Sequence, residues 1–124
     1  MATVPSISDA EWEVMTVIWA TNPITAGEVV EKLAGRKDWS PRTIKTLLNR
    51  LVSKRALAFD VEGKRYLYHP KIDREACVRK ASRSFLGRVF AGDAAEMLLR
   101  FVDELDLSRE EVAQLKKLLE KKGK

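Results

Sequence analysis

The 124-residue chain has one cysteine, Cys77, and one histidine, His69. A lone thiol cannot close an intramolecular disulfide, and with one imidazole beside it no multi-cysteine or histidine-rich metal cage can form. No stretch reaches the roughly 18 uncharged apolar residues of a membrane-spanning helix. Met1-Ala2-Thr3-Val4-Pro5 has neither the basic start nor the apolar run of an export signal. There is no Gly-rich phosphate loop, no Ser/His/Asp set and no metal-ligand spacing. Asp103-Glu104-Leu105-Asp106 reads as helix-end charge rather than a paired-carboxylate site. These absences predict a cytoplasmic protein that is not an enzyme, needs no cofactor or metal, makes no membrane contact and is held together by packing.

What is present is an uneven distribution of charge. The net charge of +5 divides into −4 over residues 1–35, +6 over 36–70, +4 over 71–92 and −1 over 93–124. Basic charge concentrated in the middle of a small chain suggests a nucleic-acid surface.

Start signals for helices punctuate the chain. Ser8-Asp9-Ala10-Glu11, Thr25-Ala26-Gly27-Glu28 and Ser108-Arg109-Glu110-Glu111 are capping boxes. Ser40-Pro41 supplies an N-cap hydroxyl and a proline at N1, where its missing N–H costs nothing. Apolar residues follow each signal at helical spacing, as in Ile44, Leu47, Leu48, Leu51 and Val52. Gly35 stands where a left-handed C-cap is commonly needed. Three helices are therefore expected by Lys54. The period then changes: Leu57–Val61 and Arg65–His69 alternate around Glu62-Gly63-Lys64, which reads as a β-hairpin ended by Pro70. Tyr66 and Tyr68 are expected to cover the helices, and His69 to be a strand-end residue without chemistry. Three more helices follow, capped by Asp73, Asp93 and Ser108, with Cys77 as a small buried hydrophobe.

Three helices and a hairpin in about 70 residues is the order of a winged helix-turn-helix, whose third helix lies in the major groove with the hairpin beside it. Advancing about 100° per residue from Ile44 puts Leu47, Leu48 and Leu51 within about 60° of it. Arg42, Thr46, Asn49 and Ser53 fall opposite, Thr43 and Arg50 flank them, and Lys45 lies to the side. No carboxylate occurs from Ser40 to Phe59, whereas an ordinary surface helix mixes Glu and Lys for pairing. Arg can bond guanine bidentately, Asn can bond adenine, and Thr can meet a base or a thymine methyl. Lys64 and Arg65 at the hairpin tip suit phosphates or a minor groove. The expected fold is mainly α with a small β-hairpin: a winged helix-turn-helix over 1–71 and a three-helix domain over 72–124. The latter is too short to bury Val78, Phe85, Val89, Leu98, Phe101, Val102, Leu115, Leu118 and Leu119 by itself, which points to a homodimer.

The segments "SDAEWEVMTVIW" (8–19), "DWSPRTIKTLLNRL" (38–51) and "FVDELDLSREEVAQLKKLL" (101–119) resemble the BlaI/MecI penicillinase-repressor family, which also includes CopY-type repressors. The resemblance covers essentially the whole chain. It implies a homodimeric repressor on an inverted-repeat DNA operator upstream of β-lactam-resistance genes, with dimerisation through the C-terminal helices. It implies DNA contacts at Arg42, Thr43, Lys45, Thr46 and Arg50, to which the helix reading adds Ser40 and Asn49. It also implies release through a membrane-bound sensor-protease pathway, by cleavage in the fifth helix. The matching bond is Arg100–Phe101, with Arg where the family's resistance repressors have Asn. The Cys-x-Cys pairs of CopY-type members are missing, so copper sensing by that route is not expected. Two other readings are a member of the same family controlling genes unrelated to β-lactams, and a winged-helix protein–protein adaptor.

Overall fold

A computed structural model describes residues 3–36 and 38–123. Six helices and three short strands follow in the order α1 (Asp9–Ala20), β1 (Ile24–Thr25), α2 (Ala26–Ala34), α3 (Pro41–Ser53), β2 (Leu57–Glu62), β3 (Arg65–Pro70), α4 (Arg74–Phe90), α5 (Ala94–Glu104) and α6 (Arg109–Lys122). The mainly α fold with a small β element is as the sequence pattern predicts, and all three capping boxes form with both hydrogen bonds in place.

Three details depart from the sequence reading. Gly35 caps α2 at φ −83°, in the right-handed region, so no left-handed glycine is needed there. Left-handed residues instead follow α4, at Ala91 and Gly92, and α3. There Arg55 takes φ 67°, while its N–H bonds Val52 O at 3.0 Å and the Ala56 N–H bonds Leu51 O at 2.9 Å. That pair of reversed bonds satisfies the helix's last carbonyls and turns the chain into β2. Finally, the hairpin is one strand short of the whole sheet. β1 pairs antiparallel with β3 (Ile24↔Tyr68, Thr25↔Leu67), giving the order β1-β3-β2. Two residues are too few for a periodicity signal, and Asn22-Pro23 before them reads as a loop. Glu62 pairs with Arg65, so the turn is the two residues Gly63-Lys64, with Gly63 at φ 65°, where a side chain would be strained.

The chain divides into two compact units, Met1–Arg83 and Ser84–Lys124. In the first, Val14, Met15 and Ile18 of α1, Val29 and Leu33 of α2, and Ile44, Leu48 and Leu51 of α3 form a core with Ile24, Leu57 and Tyr68. Cys77 is buried, and burial first, then Asp73, raises its thiol pKa above the ordinary value. The indole N–H of Trp19 donates to Ile72 O at 3.0 Å, fastening the segment after the sheet to α1.

Among the described residues one charged side chain is buried in this core. Glu11, 1% exposed, accepts the Ser8 N–H at 2.8 Å and the Lys54 ammonium at 2.5 Å on the same oxygen. Lys54 also donates to Ser6 O at 2.9 Å. The N-terminus of α1 is thereby bolted to the C-terminus of α3. Burial pushes the Glu11 carboxyl up, but the hydrogen bonds from Lys54 and the Ser8 amide outweigh it, so its pKa lies below the usual value.

The second unit has a small core of its own. Phe85, Phe90 and Phe101 meet at centroid separations of 5.8, 6.0 and 6.2 Å. Phe90 is buried, whereas Val89, Leu98, Leu99, Phe101, Val102, Leu105, Val112, Leu118 and Leu119 are exposed. Among the described residues no helix is long and apolar enough to cross a membrane.

Glu11→Ala is expected to destabilise the protein by about 2–3 kcal/mol, less than for a fully buried pair because Lys54 is 36% exposed. A carboxyl with a depressed folded-state pKa stabilises above its unfolded pKa and loses that contribution as pH falls through the folded value. Denaturant melts of wild type and Glu11→Gln should therefore differ at pH 7 and converge on acidification; a constant difference would contradict the ionic role.

Candidate nucleic-acid interface

The third helix sorts its residues as the wheel predicts. Ile44, Leu47, Leu48 and Leu51 are buried, while Arg42, Thr43, Lys45, Thr46, Asn49 and Arg50 are exposed. Ser40 caps the helix: its Oγ accepts the Thr43 N–H at 3.2 Å and lies 3.1 Å from Thr43 Oγ1. Thr46 donates its hydroxyl to Arg42 O at 3.0 Å. That leaves an acceptor oxygen and a methyl group free on Thr46. The side chains of Arg42, Lys45, Asn49 and Arg50 have no ion pair or side-chain hydrogen bond among the described residues. They are donors without acceptors on a helix face that carries no acid.

The hairpin tip adds Lys64 and Arg65, both exposed. Arg65 Nη2 lies 3.2 Å from Glu62 Oε1, its partner in the ladder. This exposed pair is weak, so Arg65 can exchange Glu62 for another anion at little cost. The carboxyl of Glu28 has a lowered pKa, first through the Thr25 backbone amide and then its hydroxyl, with Arg65 adding a smaller attraction. Arg65 lines one hollow with Thr25 and Ala26 at the start of α2.

These parts enclose an open groove of about 380 Å³. Lys45 and Asn49 of α3 form one wall, Lys64 of the turn and Arg65 at the start of β3 another. Tyr66, Tyr68 and the first residues of α2, Thr25 and Ala26, complete it. The structure thus brings four of the nine sequence-named residues into one groove. Ser40, Arg42, Thr43, Thr46 and Arg50 lie on the exposed surface of α3 without lining it.

Thr25, Ala26, Tyr66 and Tyr68 are additions that the sequence does not reveal. Their place depends on the β1–β3 pairing, and β1 has no readable signal. The expectation that both tyrosines cover the helices holds for Tyr68, which is buried; Tyr66 is 47% exposed. Tyr66 stacks on Phe59 instead, at a centroid separation of 4.3 Å and 14° between planes.

The remaining sequence-named residues lie on the helices. Val78 of α4 is half-buried in the first unit. Of the residues named for dimerisation in the second unit, Phe85 and Leu115 are half-buried and Val89, Leu98, Phe101, Val102, Leu118 and Leu119 are exposed. Arg100 and Phe101 lie inside α5, both exposed, with Arg100 Nη1 3.8 Å from Glu104 Oε1.

Comparison with known proteins agrees with this architecture. The penicillinase repressor family profile matches residues 7–121. The chain is 42% identical over 120 residues to the penicillinase repressor of Bacillus licheniformis, covering 97% of this chain and 94% of that protein. It is 36% identical over 116 residues to the methicillin resistance regulatory protein MecI of Staphylococcus aureus strain N315, covering 94% of each. Among solved structures, the DNA binding domain of the repressor BlaI shares 47% identity at a TM-score of 0.54, over 60% of this chain and 90% of that one. With a family profile spanning nearly its whole length and relatives of this identity along it, the chain belongs to the penicillinase repressor family.

Proposed function

We propose that the protein is a homodimeric transcriptional repressor. It binds an inverted-repeat operator in double-stranded DNA, with α3 reading bases in the major groove and the hairpin tip holding the backbone beside it. The observation that carries this reading is the groove in which Lys45 and Asn49 face Lys64 and Arg65 without an intervening carboxylate. A relative supports the placement: the BlaI of Bacillus licheniformis has been solved in monomeric form in complex with the blaP half-operator, at 47% identity and a TM-score of 0.53 over 60% of this chain and 92% of that one. One winged module per half-site is the arrangement a two-fold dimer would repeat across an inverted sequence. The names of the relatives, a penicillinase repressor and a methicillin resistance regulator, favour β-lactam-resistance genes as the target.

The dimer is proposed to form through residues 72–124. Among the described residues of the second unit only Phe90 is a buried large hydrophobe, and apolar side chains such as Leu98, Val102, Leu105, Leu118 and Leu119 are left to solvent. That much exposed apolar surface on two amphipathic helices marks an association site. Release is proposed to follow cleavage of Arg100–Phe101 through a sensor-protease pathway. The cut would remove Phe101 from the Phe85–Phe90 ring cluster together with all of α6. A bond inside a helix needs local opening before a protease can reach it. Glu104 in the last turn, with Asp103 beside it, opposes the helix dipole and eases such fraying.

Three measurements test this reading. Arg42→Ala or Thr46→Ala should reduce discrimination between operator and mutated operator by about 1–3 kcal/mol. Lys64→Ala should weaken operator and random DNA alike and flatten the salt dependence; the reverse pattern would make the hairpin the reading element, and salt-independent binding would favour a protein partner over DNA. Leu98→Glu or Leu118→Glu should convert the dimer to a monomer in sedimentation. The same change should lower affinity for the full operator by on the order of 10²–10⁴ while sparing a single half-site; a persistent dimer would move the interface elsewhere. A protein carrying an engineered protease site at 100–101 should lose operator affinity by a similar factor once cut. Full affinity of the separated N-terminal fragment would rule out release through the dimer.

A further inference from the structure

The unit Met1–Arg83 carries a second basic surface away from the reading groove. One hollow, of about 590 Å³, is lined by Lys54, Arg55 and Lys71. Another, of about 430 Å³, is lined by Arg79, Lys80 and Arg83. Thr3 lines both, so they form one continuous face, and no carboxylate lines either. Two of the six cations are committed within the fold: Lys54 to Glu11 and Ser6, and Lys80 to the carbonyl of Val4. Arg55, Lys71, Arg79 and Arg83 make no ion pair among the described residues. Glu75, one turn before Arg79, lines neither hollow.

The position of this face relative to the groove follows from the hairpin. Arg55 and Lys71 flank its root, where Leu57 pairs with Pro70; Lys64 and Arg65 stand at its tip. Strands of six residues at about 3.4 Å per residue set root and tip about 20 Å apart. That exceeds the roughly 12 Å width of a major groove, so the two clusters cannot meet the same phosphate.

We propose that this second face binds the sugar-phosphate backbone of the same duplex, in the stretch flanking the half-site. The inference rests on the DNA-binding reading above and adds a second, sequence-independent contact to it. Continuity favours the same duplex: Ser53 and Lys54 line the face and belong to the end of the helix whose earlier residues form the groove. A phosphate backbone fits better than a protein. Among the described residues the exposed large hydrophobics of this unit, Phe59, Val61 and Tyr66, lie on the hairpin, and none lines these hollows. Protein interfaces concentrate aromatic residues and deplete lysine at their centres, whereas phosphates require only positive charge.

The experiment uses the full-length protein, a random-sequence 40-bp duplex and a potassium chloride titration. Each lost phosphate contact lowers the slope of log affinity against log salt by about 0.9. Arg79→Gln/Arg83→Gln should reduce the slope by about 2, and Arg79→Lys/Arg83→Lys should restore it. Lys71→Gln, on the other hollow, should reduce it by about 1 and gives an independent reading should the double variant melt early. A wild-type slope in all three variants, with Lys64→Ala still lowering it, would overturn the second face and leave the reading groove standing. A wild-type slope on one duplex with loss of the ability to bridge two would assign the face to a second duplex and overturn the proposal as stated. Binding of poly-glutamate by wild type but not Arg79→Gln/Arg83→Gln, with unchanged DNA slopes, would assign it to an acidic protein. Absence of any salt-dependent DNA binding by the wild type would defeat the DNA reading and this inference together.

Discussion

The placement of α3 is the constraint on which the rest of this structure depends. Its buried face, Ile44, Leu47, Leu48 and Leu51, is shared with α1, α2 and the sheet, so rotating the helix would expose leucine and bury arginine at once. Apolar packing fixes the rotation but resists sliding along the helix axis less well. The buried Glu11 carboxylate supplies that second restraint, holding Lys54 at the far end of α3 while completing the cap of α1. A buried carboxylate is tolerated only with such partners. The same residue therefore starts one helix and positions another.

With α3 fixed, the groove is made by its neighbours. The left-handed residue Arg55 ends the helix abruptly and sends the chain into β2. Pairing of β1 with β3 then brings the first turn of α2 beside the tyrosines of the hairpin. A two-residue strand is a slight element by itself. Here it determines which side chains complete the groove between α3 and the hairpin tip, and it does so through Thr25 and Ala26, which carry no charge that would mark them.

The two units differ in how well each satisfies its own apolar residues. The first buries a continuous core drawn from α1, α2, α3 and the sheet. The second has one cluster of three phenylalanines and leaves most of its leucines in solvent. Conformational entropy opposes ordering so exposed a pair of helices, which is the physical argument for a partner that covers them. Sequence periodicity identifies most of those residues. It does not single out Leu99, 72% exposed, because Leu99 lies about 100° from Leu98 around the helix, outside the main apolar stripe.

Much of the molecule is local and therefore legible in the amino-acid order. Capping boxes at Ser8, Thr25 and Ser108 and the Ser40-Pro41 start define where helices begin, because the groups that satisfy the first amides lie within three residues. The burial of α3 follows from its 3.6-residue period, as does the acid-free composition of its outer face. Only the tertiary structure decided what depends on residues far apart in the chain. The Glu11–Lys54 pair spans 43 positions, the β1–β3 ladder joins Ile24 to Tyr68, and the exposed Tyr66 stacks on Phe59. The basic face shared by α3, α4 and the N-terminal segment is of the same kind: its cations are spread from Lys54 to Arg83 in sequence. Charge and period can be read one segment at a time, whereas a groove requires knowing which segments meet.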